Sequence, residues 1–87
     1  MWLRVTSHGS LDAPVVAFAI TRATGNAVDR NRIRRRLRAA VAEHEHDLVA
    51  GTAYLFGGDR RLLHAPFAAV QRAVGDLVRA SSEVMAP

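Results

Sequence analysis

Gly25–Arg38, GNAVDRNRIRRRLR, is the stretch on which the reading of the chain turns, because it places six of the twelve arginines in fourteen residues with Asp29 as the only acid. At 100° per residue, Ile33, Leu37, Ala40, Val41 and His44 fall within one arc. Asn31, Arg32, Arg34, Arg35, Arg36 and Arg38 spread over the other side. The spacing predicts a helix with one dry face and one cationic face. Asn26 stands where an N-cap is needed, able to accept from the N–H of Val28 or Asp29, and Asp29 puts an acid in the first turn, where the helix dipole favours it. Gly25 lets the backbone turn tightly into that cap without a side-chain penalty.

Working outward, the charge pattern needs an explanation. A solvated helix face ordinarily mixes signs, with acids three or four residues from bases, yet Arg32–Arg38 contains no acid. Like charges at that spacing repel. A polyanion offsets the repulsion, and guanidinium forks grip phosphate in bidentate fashion, so the stretch points to nucleic acid. The whole chain agrees: its formal net charge is +4, carried by arginine with no lysine at all. Arg36 reads as a peripheral charge, and Arg30, near the edge of the apolar arc, as a residue that reaches back along the core or toward Asp29.

Eighty-seven residues suit one domain, residues 1–87, with a modest core. The absence of cysteine excludes disulfides and thiolate metal sites. The longest apolar run, around Ala13–Ile20, is interrupted by Pro14 and falls far short of the ~20 residues a membrane helix needs. Met1–Ser7 lacks the apolar region of a signal peptide, which makes the cytoplasm the expected location.

In chain order, Trp2–Val5 alternates as a short strand. Ser7, His8, Gly9, Ser10 and Asp12 supply turn chemistry leading to a second strand at Val15–Ile20, so the two together read as a hairpin. That second strand puts Val16, Phe18 and Ile20 on its larger face. Trp2 and Phe18 each have two readings, as core or as a stacking surface for single-stranded RNA on an open sheet. The basic helix is expected to run to Leu48–Ala50 with Gly51 closing it. His44 and His46, two apart, cannot share a metal as i,i+4 histidines can. Ala53–Phe56 reads as a strand, Gly57–Asp59 as a break with Arg60 and Arg61 in the following loop, and Pro66 as the start of a closing helix striped by Phe67, Val70, Val74, Leu77 and Val78. Gly75 weakens that helix by ~1 kcal/mol on propensity alone. Residues 81–87 read as a frayed tail.

Chemistry of the chain's own is missing from the pattern. There are no paired carboxylates, no glycine-rich phosphate loop and no activated nucleophile.

The glycine–asparagine turn Gly25–Asn26, the arginine–asparagine–arginine triplet Arg30–Asn31–Arg32, Ile33 and the basic run after it resemble the signature of the bacterial ribonuclease P protein subunit. Weaker similarity runs from about residue 2 to residue 82. The resemblance implies an α+β fold, a small αβ sandwich of about three strands and two helices, with the unusual left-handed β-α-β crossover of that family. It implies as partners the catalytic ribonuclease P RNA and the 5′ leader of precursor tRNA, and no membrane. By residue match, RNA contact is carried onto Arg22, Asn26, Arg30, Asn31, Arg32, Arg34, Arg35 and Arg38, with Trp2 and Phe18 as leader-stacking candidates. No catalytic or metal-binding residue is expected in the protein, and magnesium is expected in the RNA–protein holoenzyme, where the RNA performs the hydrolysis. Members usually carry a further N-terminal helix and short strand, so some twenty residues are expected upstream, consistent with a start codon assigned too late. Ala23 and Thr24 stand where a second basic residue and an aliphatic are common in the family, which puts the leader groove in question. The residues alone leave two other classes open. One is a ribosome-type RNA assembly protein; the other is a DNA-binding module, against which strands on both sides of the helix argue.

Overall fold

The computed structural model describes residues 1–7, 9 and 12–85, with backbone alone for 83–85. Three strands, β1 (Trp2–Ser7), β2 (Val15–Ala19) and β3 (Thr52–Gly57), form one sheet in the order β1-β3-β2. Helix α1 (Ala27–Ala42) crosses between the parallel pair β2 and β3, and a one-turn helix α2 (Arg61–His64) leads to the closing helix α3 (Phe67–Met85). The α+β sandwich expected from the sequence is thus present, with one short helix more.

Strand alternation sorts the sheet into two faces. Register pairs Leu3 with Phe56, Val5 with Tyr54, Val16 with Tyr54 and Phe18 with Phe56, so these six side chains share a face. Against them lie the stripes of the helices: Ile33, Leu37, Ala40 and Val41 from α1, Leu62 and Leu63 from α2, and Val70, Val74 and Val78 from α3. Tyr54 is buried with its hydroxyl accepting the Val49 N–H at 3.0 Å, so the aromatic body joins the core without an orphaned polar tip. Among the described residues no helix covers the other face, and Arg4, Thr6, Val15 and Ala17 are exposed there.

Several expectations are corrected. β1 and β2 do not form a hairpin, because each pairs with β3, β1 antiparallel and β2 parallel. The expected turn residues His8 and Ser10 lie outside the described residues. α1 ends at Ala42, six residues before the predicted boundary, and Glu45–Asp47 tightens into a 3₁₀ turn. Glu43, Glu45 and Asp47 would be acids at a helix C-terminus, where the dipole opposes them, which disfavours continuation. Gly51 therefore does not cap α1; at φ 77° it supplies the left-handed residue of the turn into β3. Arg61 opens α2 instead of lying in a loop, and α3 continues to Met85, past the point where fraying was expected. Residues 86–87 of that tail lie outside the described residues.

Gly75 has a structural use that propensity does not reveal. A Cβ there would sit 2.6 Å from Cε1 and 3.0 Å from Nε2 of His44, whose Nε2–H donates to the Gln71 carbonyl at 2.9 Å. The end of α1 is thereby seated on α3. Helix propensity alone makes Gly75→Ala stabilising by roughly 1 kcal/mol. Overpacking of a tethered ring opposes it by about 1–3 kcal/mol. We expect net destabilisation of about 1 kcal/mol in urea denaturation, and a reversal to stabilisation when the same change is made in a His44→Ala background. Stabilisation by Gly75→Ala in the native background would show that the ring moves freely.

Candidate nucleic-acid interface

The helix start is built as the sequence implies. Asn26 Oδ1 accepts the Asp29 N–H at 2.8 Å, and the Arg30 N–H donates to the Asn26 carbonyl at 3.0 Å. Gly25 adopts φ 156°, ψ −169°, a region essentially closed to other residues. A Cβ on it would also approach Asp29 and Arg60 within 3 Å. Arg60 completes the assembly, its Nη1 donating to the Thr24 carbonyl at 3.2 Å and to Asp29 Oδ2 at 3.1 Å. The loop after β3 thus pins the turn that launches α1. Nothing in the sequence announces this contact across thirty-one residues.

From that fixed start the arginines of α1 separate into distinct roles. Arg32, Arg35 and Arg38 are exposed, Arg34 is half-buried, and none of the four has an ion-pair partner among the described residues. Asn31 is exposed between them. Arg30 folds back, donating to the Gly25 carbonyl at 3.3 Å, as its edge position suggested. Arg38 lies over the Phe18 ring, 5.9 Å from its centroid, on the β2 flank of the helix. Arg22, in the 3₁₀ turn Arg22–Thr24 ahead of the cap, is exposed. Asn26 is engaged as a cap, so its amide side chain already has a structural use.

Arg36 is a correction. It is not a peripheral charge: its Nη2 donates to the Ala65 carbonyl at the end of α2, and its guanidinium lies 5.9 Å from the centroid of Phe67. Its Nε is buried without a partner. Position 36 falls on the flank of α1 that meets α2 and α3, so the same residue type that faces outward at 32 and 35 is there a clamp.

The aromatics divide too. Trp2 pairs in register with Gly57 and belongs to the open face, 44% exposed, with its indole laid over Gly57 where any Cβ would collide with it. Phe18 belongs to the helix face, half-buried, its ring 6.2 Å from that of Phe56. The two cannot form a single stacking surface, because strand parity puts them on opposite sides. Beside Trp2 a concavity of about 490 Å³ opens along Ala19, Thr21, Thr24, Arg60 and Arg61.

Arg61, at the rim of that concavity, pairs with Asp59: its Nε donates to both Asp59 oxygens and its Nη2 to Oδ2 at 2.7 Å. These bonds, with the Arg61 N–H to Asp59 Oδ1 at 2.9 Å, hold the Asp59 carboxyl down at about 2 from its ordinary 3.8. Among the described residues no three His, Cys, Asp or Glu side chains gather as a metal site, and no helix is long and apolar enough to cross a membrane.

The profile of the ribonuclease P family matches residues 1–81. The chain belongs to that family. The ribonuclease P protein component of Brucella suis is 38% identical over 73 residues, covering 83% of this chain and 52% of the relative. That of Bartonella quintana is 49% identical over 61 residues, covering 66% and 46%. The chain therefore spans about half the length of these curated relatives. Among solved structures, the RNase P protein of Thermotoga maritima superposes with a TM-score of 0.77 at 16% identity, covering 90% of this chain and 74% of that one. A mutant of the Staphylococcus aureus RNase P protein gives 0.77 at 15%, covering 92% and 67%. At such low identity these two establish the shared fold.

Two predictions follow from the sorting of arginines. Arg34→Ala should reduce the slope of log affinity against log salt for structured RNA by about 1, whereas Arg36→Met should leave the slope unchanged, because its guanidinium is already spent inside the protein. Equal slopes for Arg34→Ala and wild type would make Arg34 merely solvated. Separately, a folded pKa below the unfolded value means that Asp59 adds stability above pH 3.8 that is lost as the pH falls toward 2. Carboxyl NMR titration should show Asp59 ionising near 2 and moving up toward 3.8 in Arg61→Ala. An unshifted midpoint in that variant would mean that the fork is absent in solution.

Proposed function

We propose that this chain is the protein subunit of ribonuclease P, binding the catalytic RNA of the enzyme and the 5′ leader of precursor tRNA to promote maturation of tRNA 5′ ends. The observation that carries the reading is the outward row Arg32, Arg34, Arg35 and Arg38, rigidly mounted on a family-matched helix and without acidic partners among the described residues. Phosphate is the chemistry such a row accepts: four guanidinium forks present bidentate donors to an anion whose approach also relieves their mutual repulsion. Asn31 adds a neutral donor and acceptor among them.

Within this reading, Arg22 and Arg30 flank the same turn, and the leader lies on the other side of the molecule. Trp2 on the open face would stack a leader base beside the adjoining concavity. In this reading magnesium in the holoenzyme acts at RNA phosphates, alongside the arginines of α1. Hydrolysis would then belong to the RNA, and the protein would supply fixed positive charge and a place for the leader.

Reconstitution tests this directly. The chain alone should leave precursor tRNA uncut, yet stimulate cleavage by its cognate RNA at magnesium concentrations too low for that RNA unaided. The benefit should fade as magnesium rises, because both cations screen the same phosphates. The triple variant Arg32→Ala, Arg34→Ala, Arg35→Ala should lose stimulation and still unfold cooperatively, since all three lie off the buried stripe. No stimulation by the wild-type chain at any magnesium level would defeat the function. Retained stimulation by the folded triple variant would defeat the site.

A further inference from the structure

On the helix side of the sheet, at its open β2 edge, a second concavity of about 410 Å³ runs between β2 and the C-terminal half of α1. Val16 and Phe18 line it from the strand, Arg38, Val41 and Ala42 from the helix, and Glu45 from the turn beyond. We propose that this groove takes one unpaired nucleobase of the RNA that lies on α1, a site separate from the Trp2 face; the inference rests on the reading of the α1 arginines as a phosphate-binding row.

Three observations choose that occupant. First, Arg38 belongs to both surfaces: it ends the outward arginine row and also lies across the ring of Phe18. When Arg38 turns to a phosphate it uncovers the aromatic face, and the base of the same nucleotide is then within reach of the ring. Second, the walls are apolar while the rim carries one donor-only group, Arg38, and one acceptor-only group, Glu45. An apolar peptide side chain would desolvate both charges without pairing them. A nucleobase offers ring nitrogens or carbonyls to the arginine and an exocyclic amine to the carboxylate. Third, Glu45 repels phosphate from the groove itself, so the backbone stays on the arginine row and the base enters. Aromatic and guanidinium planes together are the surface on which unpaired RNA bases stack. Strand parity keeps this groove and Trp2 on opposite faces of the sheet, so one short RNA segment cannot occupy both through neighbouring nucleotides.

The test uses the full chain, octaadenylate as one probe and an octamer of abasic phosphodiester units of equal charge as the other, with affinities measured by anisotropy over a salt series. Phe18→Leu removes the aromatic ring and keeps an apolar side chain against Phe56, and Ala42→Leu fills the groove from an exposed position that leaves the core untouched. Both variants should bind octaadenylate on the order of tenfold more weakly, with the abasic octamer and the salt slope unchanged and cooperative unfolding retained. Trp2→Leu should leave that sensitivity to Phe18→Leu intact. Octaadenylate binding unaffected by either variant, or both probes weakened equally, would overturn the base site while leaving the phosphate row standing. Abasic binding that does not weaken with salt would instead overturn the reading of α1, and the base site with it.

Discussion

Burial of one stripe of α1 is the constraint on which the rest depends. Ile33, Leu37 and Ala40 are completely inaccessible, and Val41 nearly so. Each large aliphatic so buried contributes about 1.5–3 kcal/mol relative to exposure. Against this, Arg30–Arg34, Arg32–Arg36 and Arg34–Arg38 are like-charge i,i+4 pairs that cost roughly 0.2–0.5 kcal/mol each in an isolated helix. Burial exceeds repulsion several-fold. The helix can therefore be loaded with arginine on its free side to a degree that local helix energetics would not tolerate. The charge density of the face is a consequence of how well the opposite face is packed.

That asymmetry also governs what was legible in the sequence. Periodicity found the α1 stripe, the Asn26 cap, the three strands and the α3 stripe, because each is written in spacings of two to four residues. Pairing was not written that way. The hairpin reading of β1 and β2 failed since the strand that separates them, β3, lies more than thirty residues beyond β2. The end of α1 was misplaced because apolar spacing alone ignores the acids that oppose the dipole there. The outward arginines were legible as a group, but the withdrawal of Arg36 was not: angular position put it on a flank, and only the arrival of α2 and α3 makes that flank an interface.

Arginine is used here in at least three ways, and the fold decides which. Arg60 bridges the Thr24 carbonyl and Asp29, Arg36 closes the junction of α1 with α2 and α3, and Arg32 and Arg35 stand in solvent. The Arg60–Asp29 bridge is largely exposed, and such pairs contribute little by Coulomb energy alone. Its consequence is geometric. It shares Asp29 with the Asn26 cap and lies against Gly25, so the direction in which α1 leaves the turn is fixed from two sides.

Glycine carries the complementary half of this geometry. Gly25 accepts a backbone conformation other residues avoid, Gly57 leaves room for the Trp2 ring to lie flat on the sheet, and Gly75 leaves room for His44 against α3. Two of the three are close-approach sites with no special dihedral, which is why composition and turn rules do not single them out. Together they bring an aromatic onto the open face and lock the far end of the cationic helix, so that both ends of α1 are tied to other elements while its middle stays free. A helix held at both ends presents its side chains at fixed spacing. For a surface whose proposed partner is a folded RNA with phosphates at fixed positions, that rigidity matters more than the number of charges. Fixing the helix removes the backbone share of the ordering cost, and each exposed arginine side chain then orders on its own phosphate.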